Sequence, residues 1–144
     1  MHDFRVINLY RGSFSNLQMG DECFLGDDCL LDLAAPIRLG DRVTLAERVV
    51  VLTHLNVGFA DHPLQPAFPS RLEAVTIEDG AFVGSSTTIL CGSRVGQRAF
   101  VAAGSVVTSS VPAGSLVGGV PARLLRTLES RLPAGARERT QDDE

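Results

Sequence analysis

From Ile77 to Val107 a bulky aliphatic residue returns at every sixth position: Ile77, Val83, Ile89, Val95, Val101 and Val107. A helix repeats at 3.6 residues and a half-buried strand at two, so neither accounts for a period of six. Small residues follow several of these aliphatics (Gly84, Gly96, Ala102), and small or β-branched residues fall four places on (Ala81, Thr87, Ser93, Ala99, Ser105, Val111). This is the pattern of a parallel β-helix built from hexapeptides, in which each hexad forms one short flat side and three sides make a coil of about eighteen residues. The stacked aliphatics become the core, the small residue after each permits a tight corner, and the fifth position points inward where space is limited. The register breaks when Ala113 takes the seventh slot.

The same register runs backwards through Met19-Gly20, Leu25-Gly26, Leu31-Asp32, Leu39-Gly40, Leu45-Ala46 and Val51-Leu52, interrupted by a two-residue slip near Ala35 to Arg38 and a long stretch from Leu55 to Ala74. Sandwich strands do not keep register over so many hexads. The pattern therefore predicts an all-β solenoid occupying 1–132 as one domain, with repeats over about 19–118 and a loop at 55–74. Residues 1–18 are too irregular to place, though Val6, Ile7, Leu9 and Phe14 suit a cover for the first coil. After Gly119 the period changes: Leu124, Leu125, Leu128 and Leu132 share one helical face and Pro121 suits a first turn, which predicts a short helix over about 121–132 closing the open end. Beyond it, 133–144 is charged and poor in apolar residues, the composition of a flexible tail. For hand, the general rule for parallel crossovers gives right, and spacing alone does not overturn it.

At 144 residues the chain is long enough for one domain, and its net charge of -4 with no basic run gives little support for nucleic acid or an anionic membrane as partner. No apolar stretch reaches the eighteen or so residues of a spanning helix, and MHDFRVINLY lacks the plan of a signal peptide, so the cytoplasm is the expected compartment. Cys23 and Cys29 occupy the inward fifth position of neighbouring hexads; with Cys91 they make an odd number and are read as small reduced core residues rather than a disulfide or a metal pair. All thirteen basic residues are arginine.

A loop of about twenty residues is uncommon in a compact domain unless it works. This one carries Phe59, Leu64 and Phe68 among Gly58, Pro63, Pro66 and Pro69, and is read as an ordered arm lying on something else, because its apolar residues are costly to leave in water. Two of the three histidines bracket it: His54 at the root, within Val51-Leu52-Thr53-His54, and His62 within Asp61-His62-Pro63-Leu64. A histidine where a coil gives way to a loop is held by rigid backbone at a surface, which suits a general base as well as an ordinary hydrogen-bonded residue. His2 is set aside as terminal. Three nitrogen donors do not converge in this spacing, so a metal is not expected.

The run VTIEDGAFVGSSTTILCGSRVGQRAFVAAGSVVTSSVPAGSLVGGVPARLLR (Val75 to Arg126) resembles the carboxyl half of the hexapeptide-repeat acyltransferases, the group containing the maltose, galactoside and colanic-acid O-acetyltransferases. The resemblance covers roughly Met19 to Arg126, and its most specific part is the ordered series AAGSVVT, then VP, then GGVPARLLR. It implies a left-handed parallel β-helix, a homotrimer with active sites between subunits where the loop of one coil reaches a neighbour, and direct transfer of acetyl from acetyl-CoA to a hydroxyl or amine of a small-molecule or sugar acceptor. By the match His54 resembles the catalytic histidine at the loop root, while His62-Pro63-Leu64 resembles the histidine of the sugar acetyltransferases; the coil-held His54 is preferred. The resemblance places Ser85, Ala103 and Thr108 along the groove for the pantetheine arm, with Ser85 or its amide facing the thioester oxyanion, and Arg123 and Arg126 near the CoA phosphates. Asp32 would orient an acceptor hydroxyl or the histidine. Phe82 stands where many members have tryptophan, Glu78 replaces the usual corner glycine, and the amino-terminal helical region of the sugar acetyltransferases is missing. The competing readings are a non-catalytic trimeric scaffold and a zinc hydratase of the carbonic-anhydrase solenoid type.

Overall fold

The computed structural model of the chain describes residues 3–9 and 13–128. Strand β1 (Arg5–Ile7) precedes the repeat. β2 (Leu17–Met19), β3 (Phe24–Leu25) and β4 (Leu30–Asp32) form the first full coil, and β5 (Ile37–Leu39), β6 (Thr44–Leu45) and β7 (Val50–Val51) the second. The arm leaves here on a hairpin stem, β8 (His54–Leu55) against β9 (Arg71–Leu72). β10 (Val75–Ile77), β11 (Phe82–Val83) and β12 (Thr88–Ile89) make the third coil, and β13 (Arg94–Val95), β14 (Phe100–Val101) and β15 (Val106–Val107) the fourth. β16 (Ser115–Gly118) continues on one side only, and β17 (Arg123–Thr127) turns back along it.

Stacking the coils yields three faces. The first runs β1-β4-β7-β12-β15, the second β13-β10-β5-β2, and the third β17-β16-β14-β11-β6-β3. Every pairing between coils is parallel; β16 with β17 and β8 with β9 are antiparallel. The register shows how each interruption is absorbed. Val83 pairs with Val101, the eighteen-residue coil that the hexads dictate. Leu25 pairs with Leu45, twenty residues on, so the slip near Ala35 adds two residues to a corner without disturbing the ladder. Leu45 pairs with Val83, so the arm is a further twenty-residue insertion at one corner. At the far end Val101 pairs with Val117 and Val95 with Val111, sixteen apart; the last coil is two residues short, which is why Ala113 falls out of register.

From Leu31 onward the core follows the expected register, whereas at the open end of the stack Met19 is exposed and Leu25 half-buried, because no coil lies beyond to cover them. Leu31, Leu45, Val51, Ile77, Val83, Ile89, Val95 and Val101 are fully buried, as are Ala81, Thr87, Ser93, Ala99 and Ser105 at the fifth position. Each large aliphatic so placed contributes about 1.5–3 kcal/mol relative to exposure. The hydroxyls among them are satisfied: Thr87 Oγ1 and Ser105 Oγ both donate to Ala102 O, at 3.2 and 2.6 Å. Gly84 shows what the corner requires, since a Cβ there would stand 2.5 Å from the Ala103 amide nitrogen. Glu78, in a slot expected to hold glycine, is accommodated because its carboxylate accepts the Gln97 amide at 3.1 Å and pairs with Arg94. Cys29 and Cys91 are buried and Cys23 half-buried, all three free, and burial pushes the Cys29 thiol up.

Two expectations change. Arg123–Thr127, expected to lie in a helix, is a strand paired to β16. β16 tops its face with an open row of backbone donors and acceptors, and a returning strand satisfies them. The leucines expected to face a core, Leu124 and Leu125, are exposed, so no buried stripe favours a helix. The remainder of the expected helix and the tail, 129–144, lie outside the described residues. The amino-terminal segment is more ordered than its irregular sequence suggests: β1 adds to the first face, with Val6 packed against the core.

Candidate active site

Asp32 ends β4, and Thr53 and His54 follow β7 in the coil above, on the same face. The Ala34–Pro36 corner, widened by the two extra residues, is stitched to the upper coil by Ala35 N donating to Thr53 Oγ1 at 2.9 Å, while Thr53 Oγ1 donates to Asp32 O at 2.9 Å. The Asp32 side chain is enclosed, 0 % exposed, and His54 Nδ1 lies 2.5 Å from its Oδ2. Thr53 N donates to the same oxygen at 2.8 Å; Oδ1 accepts Asn8 Nδ2 at 2.8 Å and Ala34 N at 3.1 Å. Burial on its own would raise the carboxyl, yet the donors from Asn8, His54, Thr53 and Ala34 outweigh it and hold Asp32 below the ordinary carboxylate value. An anionic Asp32 accepts a hydrogen bond from Nδ1–H, which leaves the ring's lone pair on Nε2. The enclosed Asp32 side chain thus contacts the histidine and has no exposed surface toward the cleft.

The His54 side chain is 36 % exposed and borders an open cleft of about 620 Å³. Asn8, Leu9 and Ala34 line one part of it; Leu55, Asn56, Ser70, Arg71 and Leu72 of the arm's stem line another. Arg71 is held by Glu73 through Nε–Oε1 at 3.0 Å and Nη2–Oε2 at 2.6 Å. Among the described residues no group of three His, Cys, Asp or Glu is placed to hold a metal ion.

His62 lies apart from this cluster, in the arm, where Leu64 N donates to its Nδ1 at 3.1 Å. The arm itself is built by turns, His62 N to Phe59 O and Phe68 N to Leu64 O, and it holds Phe59 87 % exposed, with Leu64 and Phe68 also exposed. The remaining expected residues fall on two edges of the prism and on the strand that tops its third face. Ser85 and Ala103 follow β11 and β14 at the corner between the third and first faces, and their side chains are small. The Ser85 hydroxyl donates to Glu47 Oε2 at 3.1 Å, and Gly104 N to Ser85 O at 2.9 Å. Arg123 pairs with Gly118 and Arg126 with Leu116 at the top of that third face, both exposed. Thr108 follows β15 at the corner between the first and second faces, the edge that also carries Thr53 and His54. One chain thus presents His54, Asp32 and Thr108 along one edge, Ser85 and Ala103 along another, and the two arginines on the strand that tops the third face. Asn8 was not foreseen as a site residue; it lies outside the repeat, and only the β1–β4 pairing brings it to Asp32.

The family model described as the hexapeptide repeat of succinyl-transferase matches residues 17–52 and 74–109. Among solved structures, a hexapeptide-repeat-containing acetyltransferase from Vibrio cholerae O1 biovar eltor, complexed with acetyl coenzyme A, is 32% identical over 87% of this chain and 64% of its own, with a TM-score of 0.74. A maltose O-acetyltransferase from Clostridium difficile 630 is 27% identical over 88% of this chain and 67% of its own, with a TM-score of 0.72. A 2,3,4,5-tetrahydropyridine-2,6-dicarboxylate N-acetyltransferase of Staphylococcus aureus (strain JH9) is 47% identical over 58 residues, 40% of this chain. The aligned part of the chain spans about a quarter, 24%, of that curated relative's length. The likeness includes the hand of the coil, which is left. The right-handed rule rests on twisted strands feeding a packed crossover, and sides of two or three residues carry little twist.

Proposed function

The chain belongs to the hexapeptide-repeat acyltransferase family, and we propose that it moves an acetyl group from acetyl-CoA directly to a hydroxyl or amine of a small-molecule or sugar acceptor, with His54 as general base. The observation that carries this reading is the 2.5 Å contact between His54 Nδ1 and an enclosed, anionic Asp32 beside an open cleft. Nε2 takes the acceptor proton as its oxygen or nitrogen attacks the thioester carbonyl; the C–S bond then breaks and the proton passes to the departing CoA sulfur. A base so placed contributes about 10²–10⁴ in rate. His62, whose Nδ1 already accepts the Leu64 amide, is the weaker candidate.

CoA would lie along the other edge. Ser85, Ala103 and Gly104 keep that corner low, with open space around the Gly104 Cα, and backbone groups there would meet the pantetheine arm. Arg123 and Arg126 stand exposed above it, where guanidinium groups pair well with phosphate oxygens. Thr108 would face the same arm from the His54 edge. Since the two sets occupy different edges of one prism, a complete site takes one edge from each of two copies. The chain is therefore read as a homotrimer, with the apolar arm carrying Phe59, Leu64 and Phe68 laid on a neighbour. Free cysteines suit a reducing cytoplasm, and no helix among the described residues is long and apolar enough to cross a membrane.

The test is release of CoA thiol from acetyl-CoA in the presence of a panel of sugars and amines, beginning with maltose. Acceptor-dependent release that is lost in His54→Gln supports the reading; a panel without turnover and no CoA binding in calorimetric titration would turn it toward a scaffold.

A further inference from the structure

The amino-terminal segment does more than lengthen one face. β1 runs in register with β4, Ile7 opposite Asp32, and Leu33 N donates to Ile7 O at 2.9 Å, so the following residue is carried over the Asp32 carboxylate. That residue is Asn8. Its backbone sits at φ 56°, the left-handed region that asparagine tolerates better than most side chains. Glycine would meet that backbone demand at less steric cost; what asparagine adds is an amide, and the amide donates to Asp32 Oδ1 at 2.8 Å.

A carboxylate can exchange its two oxygens by turning about its terminal torsion. Oδ2 serves His54 and Thr53, whereas Oδ1 is held by the Ala34 amide at 3.1 Å and, among the side chains of the described residues, by Asn8 alone. We infer that Asn8 is a positioning residue: by fixing Oδ1 it keeps Oδ2 on His54 Nδ1, so that the ring stays in the Nδ1–H tautomer with Nε2 facing the reaction as a base. The inference rests on the assignment of His54 as that base. It makes the segment before the repeat part of the site, with Asn8 and Leu9 also bordering the cleft opposite the arm's stem.

The test uses the full chain labelled with ¹⁵N and reads imidazole tautomers from long-range ¹H–¹⁵N correlations, the His54 signals being those absent in His54→Gln. Asn8→Gly keeps the backbone conformation and deletes the amide; Asn8→Asp keeps a residue suited to the left-handed region but sets a second carboxylate against Asp32. The wild-type chain is expected to show His54 as the Nδ1–H tautomer alone, and each variant a mixture of both tautomers. The turnover number of each, measured on the same acceptor, is expected to fall about tenfold with little change in KM, as for other groups that act by orienting a ligand or base. An unchanged tautomer in both folded variants overturns the inference even where His54→Gln is inactive. Full turnover in His54→Gln overturns instead the base assignment on which it stands.

Discussion

His54 Nδ1 lies 2.5 Å from Oδ2 of Asp32, a carboxylate with no exposed surface and donors from four residues around it. The histidine leaves the coil at the root of the arm, yet its ring is tied to the coil below. Removing the charge while keeping the shape, as in Asp32→Asn, is expected to lower the turnover number by about 10² or more while KM changes little, because the ring loses its tautomer and the partner for its developing charge. Steady-state kinetics at saturating acetyl-CoA check this.

The same carboxylate links stability to pH. Its folded value lies below the ordinary one, so as pH falls the unfolded chain takes the proton first. The stability it contributes is fully present above about pH 5 and is lost as pH drops below about 4, toward the folded value. Urea melts at pH 6 and 3.5 should show the wild-type chain more stable than Asp32→Asn at the higher pH and the gap closing at the lower. A gap that does not narrow would contradict the depressed value.

At the corners, close approach of backbone leaves no room for a methyl. A Cβ on Gly84 or Gly96 would meet the amide nitrogen of Ala103 or Ala113 at 2.5 Å. Gly84→Ala and Gly96→Ala are each expected to destabilise by about 1–3 kcal/mol, the cost of overpacking a tight core. Gly104→Ala is a useful contrast, since its Cβ would meet nothing and only its positive φ of 73° opposes it. Thermal melts should rank Gly104→Ala above the other two.

The arm supplies a prediction about assembly. Phe59 and Phe68 are exposed and lie outside the buried core cluster, so Phe59→Ser with Phe68→Ser should leave the circular dichroism of the coil unchanged. Light scattering at micromolar concentration should give a trimer for the wild-type chain and a smaller species for the double variant. A wild-type monomer would contradict the shared site.

The coil was legible because six-residue spacing has one structural meaning: each of Ile77, Val83, Ile89 and their counterparts had to point inward, and the interruptions near Ala35 and after Leu55 had to leave at corners. The strand Arg123–Thr127 was not legible, because Leu124, Leu125 and Leu128 fit a helical face equally well and only the open edge of β16 decides between them. His54 could be singled out by its place at the arm's root, and Asp32 by resemblance, but the bond between them depends on the offset of twenty that stacks Leu31 on Val51. Asn8 carried no signal at all. Its contact with Asp32 spans 24 residues and exists only through the pairing of β1 with β4.

The most direct test of the account is kcat/KM for acetyl transfer by the wild-type chain, His54→Gln and His62→Gln on one acceptor, with CoA affinity measured in parallel. The account predicts a loss of about 10²–10⁴ in His54→Gln with CoA still bound, and a far smaller change in His62→Gln. Wild-type turnover in His54→Gln, or the large loss falling on His62→Gln alone, would contradict it.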